Sequence, residues 1–522
     1  MSPQDLRARR APARAFLLAL LAVAPALSRA ATPDHPNILL ICIDDLRPVL
    51  GCYGGAAKTP HMDKFAGESV VFRRHYVQFP SCGPSRASML GGRRPDSLGV
   101  YGNSGTDIVA QDPEHMPTLP MLFKRNGYTT LSFGKVYHSK GASPGCGWSE
   151  PPWHPPNWAC YVNFKERERK KKEGWEWRPA MEIYDGPDSL HGDYQTADRV
   201  IAALEAHRDG PFFIAAGFYK PHLPFVAPKR FWDLYGPDEI RAVEPVRRAE
   251  GAADYGYAFR EICSYGDNCG KMFTPDAMPT ARQTLDLIHA YHAATSFTDS
   301  HVGRLLSKID ELGLRENTAV VLWSDHGFHL GDQARWAKWT QFEADMRSPL
   351  VIRLPGKSAP ARGTDALVES VDIYPTITSI AGLAAPPHLE GISLLPLIRG
   401  EVDQVKQFAR SQVAGLQANG HLMAYSLRTP GYRYVEWRDR MRQNQLVCRE
   451  LYDLASVGHE LKNLAEDPGQ EMIVEQHHRL VLDGYASLQR DAQRPQAKRQ
   501  KKRAGASTAP EPQQPPNEIA HP

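Results

Sequence analysis

Five short segments of this chain are largely apolar, and four of them are followed within two residues by charged or imidazole side chains. They are Asn37–Ile43, Tyr128–Phe133, Pro211–Phe218, Ala319–Ser324 and Pro349–Leu354. A strand with one wet face alternates apolar and polar residues; a strand apolar throughout is buried on both faces, as in parallel sheets. Helix-like stretches lie between the runs, for example Thr284–Leu312 and Ser370–Ala381. This order predicts an α/β fold, a large doubly wound, mostly parallel sheet with helices on both faces. The polar groups that follow the runs are Asp44-Asp45, Lys135 to His138, Lys220 to His222, and Asp325-His326. Ligands of open α/β sheets sit beyond the carboxyl ends of strands, so these four groups are expected at one rim.

Composition sets the outer limits. Hydrophobic residues are 42% of the 522 and charged residues 23%, which is the balance of a folded chain and excludes general disorder. Lys and Arg (62) nearly cancel Asp and Glu (59), and a net charge of +3 gives no basis for bulk binding of nucleic acid. At the N-terminus, Arg7, Arg9, Arg10 and Arg14 precede an apolar run from Ala15 to Leu27, and Ser28-Arg29-Ala30 follows. That pattern reads as a signal peptide over 1–30, cleaved near Ala30; the run is too short for a membrane-spanning helix. The mature chain is expected to be periplasmic or secreted and bacterial, since no Asn-x-Ser/Thr acceptor occurs in it.

The remainder divides into a catalytic domain over 31–400, a small α+β subdomain with an antiparallel sheet over 401–489, and a basic, Pro/Gln-rich tail over 490–522. Met423–Arg428, Tyr432–Trp437 and Glu450–Leu454 read as the strands of the small sheet. The tail is too polar to bury a core and reads as a solubilising end. The charge run Lys165 to Glu173 reads as a solvated face. Among the 8 cysteines, Cys42 lies within an apolar run and is expected to be a buried thiol. Spacing permits small disulfide loops at Cys146/Cys160 and Cys263/Cys269 without deciding either.

Two local patterns carry chemistry. Cys82-Gly83-Pro84-Ser85-Arg86 places a cysteine on a Gly/Pro turn with a cation one helical turn later, a setting suited to a low-pKa thiolate nucleophile. Asp44 and Asp45 at one strand end and Asp325 at another form a hard-oxygen set suited to Ca²⁺ or Mg²⁺.

These residues bring in a family. Cys-x-Pro-Ser-Arg resembles the signature of type I sulfatases, whose cysteine is oxidised to formylglycine. The likeness runs from about Pro36 to Leu464 and is nearest to the iduronate-2-sulfatase-like branch, within the alkaline phosphatase-like superfamily. Its landmarks are Asp44-Asp45-Leu46-Arg47-Pro48, Gly134-Lys135-Val136-Tyr137-His138, Lys220-Pro221-His222, Ser324-Asp325-His326-Gly327 and Trp336-Ala337-Lys338. Two departures stand out. Gly91 replaces the usual Thr after Leu90, and Asp332-Gln333-Ala334-Arg335 replaces the branch's Gly-Glu-His-Gly, in a loop that would bear on leaving-group preference if it bordered the substrate.

The resemblance implies one Ca²⁺ held by Asp44, Asp45, Asp325, His326 and the modified Cys82. It also implies a formylglycine-generating enzyme as maturation partner and a sulfated carbohydrate, such as a 2-O-sulfated uronic acid, as substrate. In the implied mechanism one hydroxyl of the formylglycine hydrate, activated with Arg86, attacks sulfur while His222 or Lys338 protonates the leaving oxygen. His138 then helps the second hydroxyl to release sulfate, and Lys135 holds the aldehyde-derived group. Alternatives on the same fold are a choline or aryl sulfatase and a phosphonate or phosphate monoester hydrolase. A non-catalytic, polysaccharide-binding pseudo-sulfatase is the third.

Overall fold

A computed structural model describes residues 35–104, 112–138, 145–164, 170–172, 175–257, 261–267, 273–274, 278–356, 362–415, 421–485 and 488. The predicted signal peptide, the basic tail, most of the Lys165–Glu173 run and Cys269 lie outside these residues. Seven strands form the main sheet: β1 (Asn37–Ile43), β2 (Val70–Tyr76), β3 (Thr129–Gly134), β4 (Phe212–Phe218), β5 (Thr318–Ser324), β6 (Leu350–Arg353) and β7 (Arg362–Glu369). Their order is β7-β2-β6-β5-β1-β4-β3. The predicted parallel arrangement holds for β5, β1, β4 and β3, which lie side by side. It fails for Leu350–Arg353, which pairs antiparallel with both neighbours. Burial on both faces makes a strand apolar throughout but leaves its direction open.

Period-two geometry in β1 shows why these runs are apolar at every position. Leu39, Ile41 and Ile43 enter one core with the helices α2 (Gly192–Ala206) and α3 (Ala281–Glu311). Ile38, Leu40 and Cys42 enter the other, with α1 (Cys82–Gly91) and α4 (Ile373–Ile380). All six are fully buried, and each large aliphatic side chain contributes about 1.5–3 kcal/mol by leaving water. Cys42 is thus the buried thiol expected, its pKa pushed up to about 12 by that burial.

A second sheet of four antiparallel strands follows: β8 (Ala409–Gly415), β9 (Leu422–Arg428), β10 (Tyr432–Asp439) and β11 (Gln445–Asp453). Its apolar face packs on α5 (Glu471–Gly484) and on Tyr76, Val77 and Phe79 at the end of β2. Cys160 carries a free thiol, so the 146/160 pairing that spacing allowed is not formed. Among the described residues no helix is long and apolar enough to cross a membrane.

Candidate active site

The four neighbouring strands β5, β1, β4 and β3 end at the same edge, and each delivers its polar group there. Asp44-Asp45 follow β1, Lys135 and His138 follow β3, His222 follows β4, and Asp325-His326 follow β5. Lys220 leaves this set: it is buried and donates to the carbonyls of His222 and Pro224, shaping the turn that presents His222. Gly217 permits the crowding. A Cβ there would lie 2.2 Å from the Lys135 backbone, so any side chain would push β3 away from β4 and Lys135 away from Asp44.

Cys82 opens α1 and does not lie on a free Gly/Pro turn. Ser81 is extended, Pro84 sits in the first turn where its missing N–H costs nothing, and Gly92 closes the helix in the left-handed region. Only glycine fits at 83, where a Cβ would come within 2.7 Å of the Asn103 backbone. Helical spacing then sets Arg86 one turn above Cys82 on the same face. Arg86 is fully buried and ties two strand ends together, with Nη2 3.0 Å from Asp44 Oδ1 and Nε 2.8 Å from Asp325 Oδ2.

The remaining groups close on the sulfur. Cys82 Sγ lies 3.4 Å from His326 Nε2, 3.4 Å from Lys338 Nζ and 3.9 Å from Asp45 Oδ1. Lys135 Nζ is 2.5 Å from Asp44 Oδ2. Asp45 is held at φ 60, a region costly for a non-glycine residue, by Asp325 Oδ1 on its N–H and Tyr291 on its carbonyl. Ligand atoms of Asp44, Asp45, Cys82 and His326 all fall within 4.8 Å of one another, and His326 Nε2 is 3.7 Å from Asp325 Oδ1. His222 Nδ1 donates to the Leu223 carbonyl at 2.5 Å, which turns Nε2 toward Asp45 Oδ2 at 3.8 Å. His138 is placed after β3 with no hydrogen-bond partner for Nδ1 among the described residues.

Electrostatics overturn one expectation. Burial, reinforced by Asp44, raises the Cys82 thiol well above its ordinary value despite Lys135 and Lys338, so the unmodified residue is not a thiolate nucleophile. Burial also holds the imidazoles neutral: His326 falls to about 4, His138 to about 3, and His222 well below the usual range. Lys338 moves the other way. Burial opposes its charge, but Asp45 outweighs it and keeps the ammonium protonated.

Sequence reading missed Glu261. Its carboxylate lies 3.5 Å from His222 Nε2 and 3.4 Å from Lys338 Nζ, yet it is a single acid in a short 3₁₀ turn with no motif around it. The divergent loop 332–335 spends its three polar side chains inside the protein. Asp332 pairs with Arg47 at 3.0 Å, Gln333 donates to the Glu460 carbonyl and Arg335 to the Tyr257 carbonyl.

An α/β sheet whose strand ends gather a helix-borne cysteine, three cations and three carboxylates defines a hydrolase site for an anionic ester. The Sulfatase family model matches residues 36–383, and the model of the N-sulphoglucosamine sulphohydrolase C-terminal region matches 331–484. The chain belongs to the sulfatase family, and its activity is that of a sulfuric ester hydrolase. Human iduronate 2-sulfatase is 32% identical over 477 residues, covering 78% of this chain and 86% of the relative. A Δ4,5-hexuronate-2-O-sulfatase of Bacteroides thetaiotaomicron is 27% identical over 473 residues, covering 88% and 90%. A 2-O GAG sulfatase of known structure superposes with a TM-score of 0.68 at 22% identity, over 89% of this chain and 94% of that one, which establishes the shared fold.

Proposed function

We propose that this chain is an exported sulfatase acting on sulfated carbohydrates, removing the 2-O-sulfate of a uronic acid, with Cys82 matured to formylglycine and one Ca²⁺ at the site. The observation that carries this reading is the position of Cys82 Sγ, 3.4 Å from both Lys338 Nζ and His326 Nε2. The iduronate and hexuronate 2-O-sulfatase relatives support the choice of substrate.

The donor set fits a hard divalent cation. Asp44, Asp45, Asp325, His326 and residue 82 would hold it, and a neutral imidazole is the form that ligates. Charge balance agrees. Burial raises the Asp45 pKa, and a bound cation would keep that carboxylate ionised; Asp44, Asp45, Asp325 and Glu261 then exceed Arg86, Lys135 and Lys338 by one negative charge. A dication reverses that to one positive, the complement of a monoanionic sulfate ester. When bound, the ion supplies positive charge to the sulfate oxygens, and formylglycine supplies an oxygen nucleophile that the buried thiol does not.

The chain's own groups do the rest. Arg86, locked between Asp44 and Asp325, fixes the first turn of α1 and so the direction of residue 82. Lys338 holds a proton at Nζ in reach of residue 82 and delivers it to the leaving sugar oxygen. His222, its Nδ1–H engaged by the Leu223 carbonyl and its ring kept neutral, presents Nε2 as an acceptor that takes the hydrogen bond of the sugar hydroxyl once Lys338 has protonated it. Neutral His138 accepts the proton released when sulfate departs, and Lys135 keeps Asp44 in place. Maturation calls for a formylglycine-generating enzyme before or during export through the signal read in 1–30.

Two measurements test this. Mass spectrometry of the peptide containing Cys82, from enzyme produced with a formylglycine-generating enzyme, is expected to show conversion of thiol to aldehyde. A panel of 2-O-sulfated uronate, 6-O-sulfated hexosamine, choline sulfate and an aryl phosphonate is expected to rank the uronate first. An unmodified cysteine in fully active enzyme refutes the maturation step; another ester ranking first refutes the substrate.

A further inference from the structure

The cations of the reaction centre are all committed, and one guanidinium just outside it is not. Arg86, Lys135 and Lys338 pair with carboxylates, Arg47 with Asp332, and Lys220 with two carbonyls. Arg178 differs. Its side chain has no acidic or carbonyl partner among the described residues, where it stands against two rings. Its Cζ stands 4.3 Å from the Tyr265 ring centroid and 5.8 Å from that of Trp158. The residue is only 7% exposed, yet none of its nitrogens is among the fully buried atoms without a hydrogen bond, so the head opens to solvent.

Both rings belong to the wall beside His222. Trp158 sits edge-to-face with the His222 imidazole, centroids 6.1 Å apart. Tyr265 donates its phenol to the Leu223 carbonyl, the same oxygen that fixes His222 Nδ1. Backbone contacts make the arrangement rigid: the Arg178 carbonyl accepts from Gly266 N–H at 2.9 Å. A guanidinium stacked on aromatic faces keeps its planar N–H fork free at the edge, the geometry that grips a carboxylate through two parallel hydrogen bonds.

Sugar chemistry gives this spare fork a purpose. In a pyranose, C2 and C5 lie across the ring from each other. A uronic acid with its 2-O-sulfate at Cys82 and its leaving oxygen at His222 and Lys338 therefore sends its C5 carboxylate one ring-width away. Trp158 contacts His222 on one side and the Arg178 guanidinium on another, and so links the leaving-oxygen end of the site to that fork. We propose that Arg178 is the specificity residue that binds the C5 carboxylate of a 2-O-sulfated uronic acid, with Trp158 as the surface the ring rests on. This rests on the uronate reading above and adds the group that would make the enzyme select an acid over a neutral sugar.

The test compares two 2-O-sulfated substrates on the full mature enzyme: a uronate glycoside and its carboxyl-reduced analogue. Wild type is expected to favour the uronate. Arg178→Gln is expected to lose about 10–100-fold in kcat/KM on the uronate, mainly through KM, as expected for removing charge-assisted hydrogen bonds. On the reduced analogue the loss is expected to stay within about threefold, and Arg178→Lys is expected to recover part of the uronate affinity. Equal losses on both substrates, or a loss in kcat with KM intact, would overturn the assignment. A wild type that cleaves other sulfate esters but neither 2-O-sulfated sugar overturns the uronate reading itself, a failure distinct from that of Arg178.

Discussion

Lys338 Nζ lies 2.8 Å from one oxygen of Asp45 and 3.0 Å from the other, both groups buried at the foot of the site. The pairing keeps the lysine protonated where burial alone would discharge it. Lys338→Met removes the proposed proton donor, so kcat is expected to fall by about 10²–10⁴-fold. It also leaves Asp45 without its nearest cation, so thermal stability falls with activity. Lys338→Arg separates the two roles: charge and melting temperature are largely kept, while kcat stays low because a guanidinium does not release its proton. A Lys338→Met enzyme within tenfold of wild type would remove Lys338 from the chemistry.

Cys82→Ala is expected to abolish turnover. The side chain is small and lies at the first turn of α1, so the fold is expected to survive at a cost of about 1 kcal/mol, checked by urea unfolding. Cys82→Ser is expected to be inactive too, unless the host oxidises serine. Activity in the alanine variant would exclude residue 82 as the origin of the nucleophile.

The site was legible in the sequence because its residues follow apolar strands, and strand ends on one edge are forced together by the parallel sheet. What escaped was whatever lacked a pattern. Val70–Tyr76 carries Arg73, Arg74 and His75, and the polar first half of Arg362–Glu369 hides an edge strand, so neither was recognised among the strands. Ala409–Gly415 escaped similarly, its Arg410 and Gln412 engaged with Gly484 and Asp96. Glu261 reaches the site, and Arg178 the aromatic wall beside it, through long-range folding of loops that no local spacing encodes. The low-pKa thiolate was a reading of sequence neighbours; burial beside Asp44 reverses it.

Asp325 has two tasks, since its carboxylate accepts from Arg86 and from the Asp45 N–H while lying near His326. Asp325→Asn keeps the shape and removes the charge. Metal affinity is expected to drop at least about tenfold, measured by metal content after dialysis, and activity is expected to recover partly when Ca²⁺ is added in excess. Unchanged metal content with lost activity would leave Asp325 as a support for Arg86 alone.

The last prediction concerns stability away from the site. Arg94 clasps Glu369 through two bonds of 2.7 and 2.8 Å, and Lys406 reaches the same carboxylate at 2.5 Å. Glu369 also accepts from the Arg410 N–H, so this cluster fastens β7 to β8 and the catalytic sheet to the smaller one. Burial would raise the Glu369 pKa, but Arg94 and Lys406 outweigh it and hold the carboxyl well below its ordinary 4.5. A depressed folded-state value stabilises the protein above the unfolded pKa, and that contribution is lost as pH falls through the folded one. Arg94→Met leaves the buried charge half-paired and is expected to cost about 3–5 kcal/mol near neutral pH. In the variant Glu369 protonates more readily, so the gap to wild type narrows as pH drops below about 4.5. Denaturant unfolding of both proteins from about pH 4 to pH 7 checks this; a gap independent of pH would mean that Arg94 acts through packing and not through the charge of Glu369.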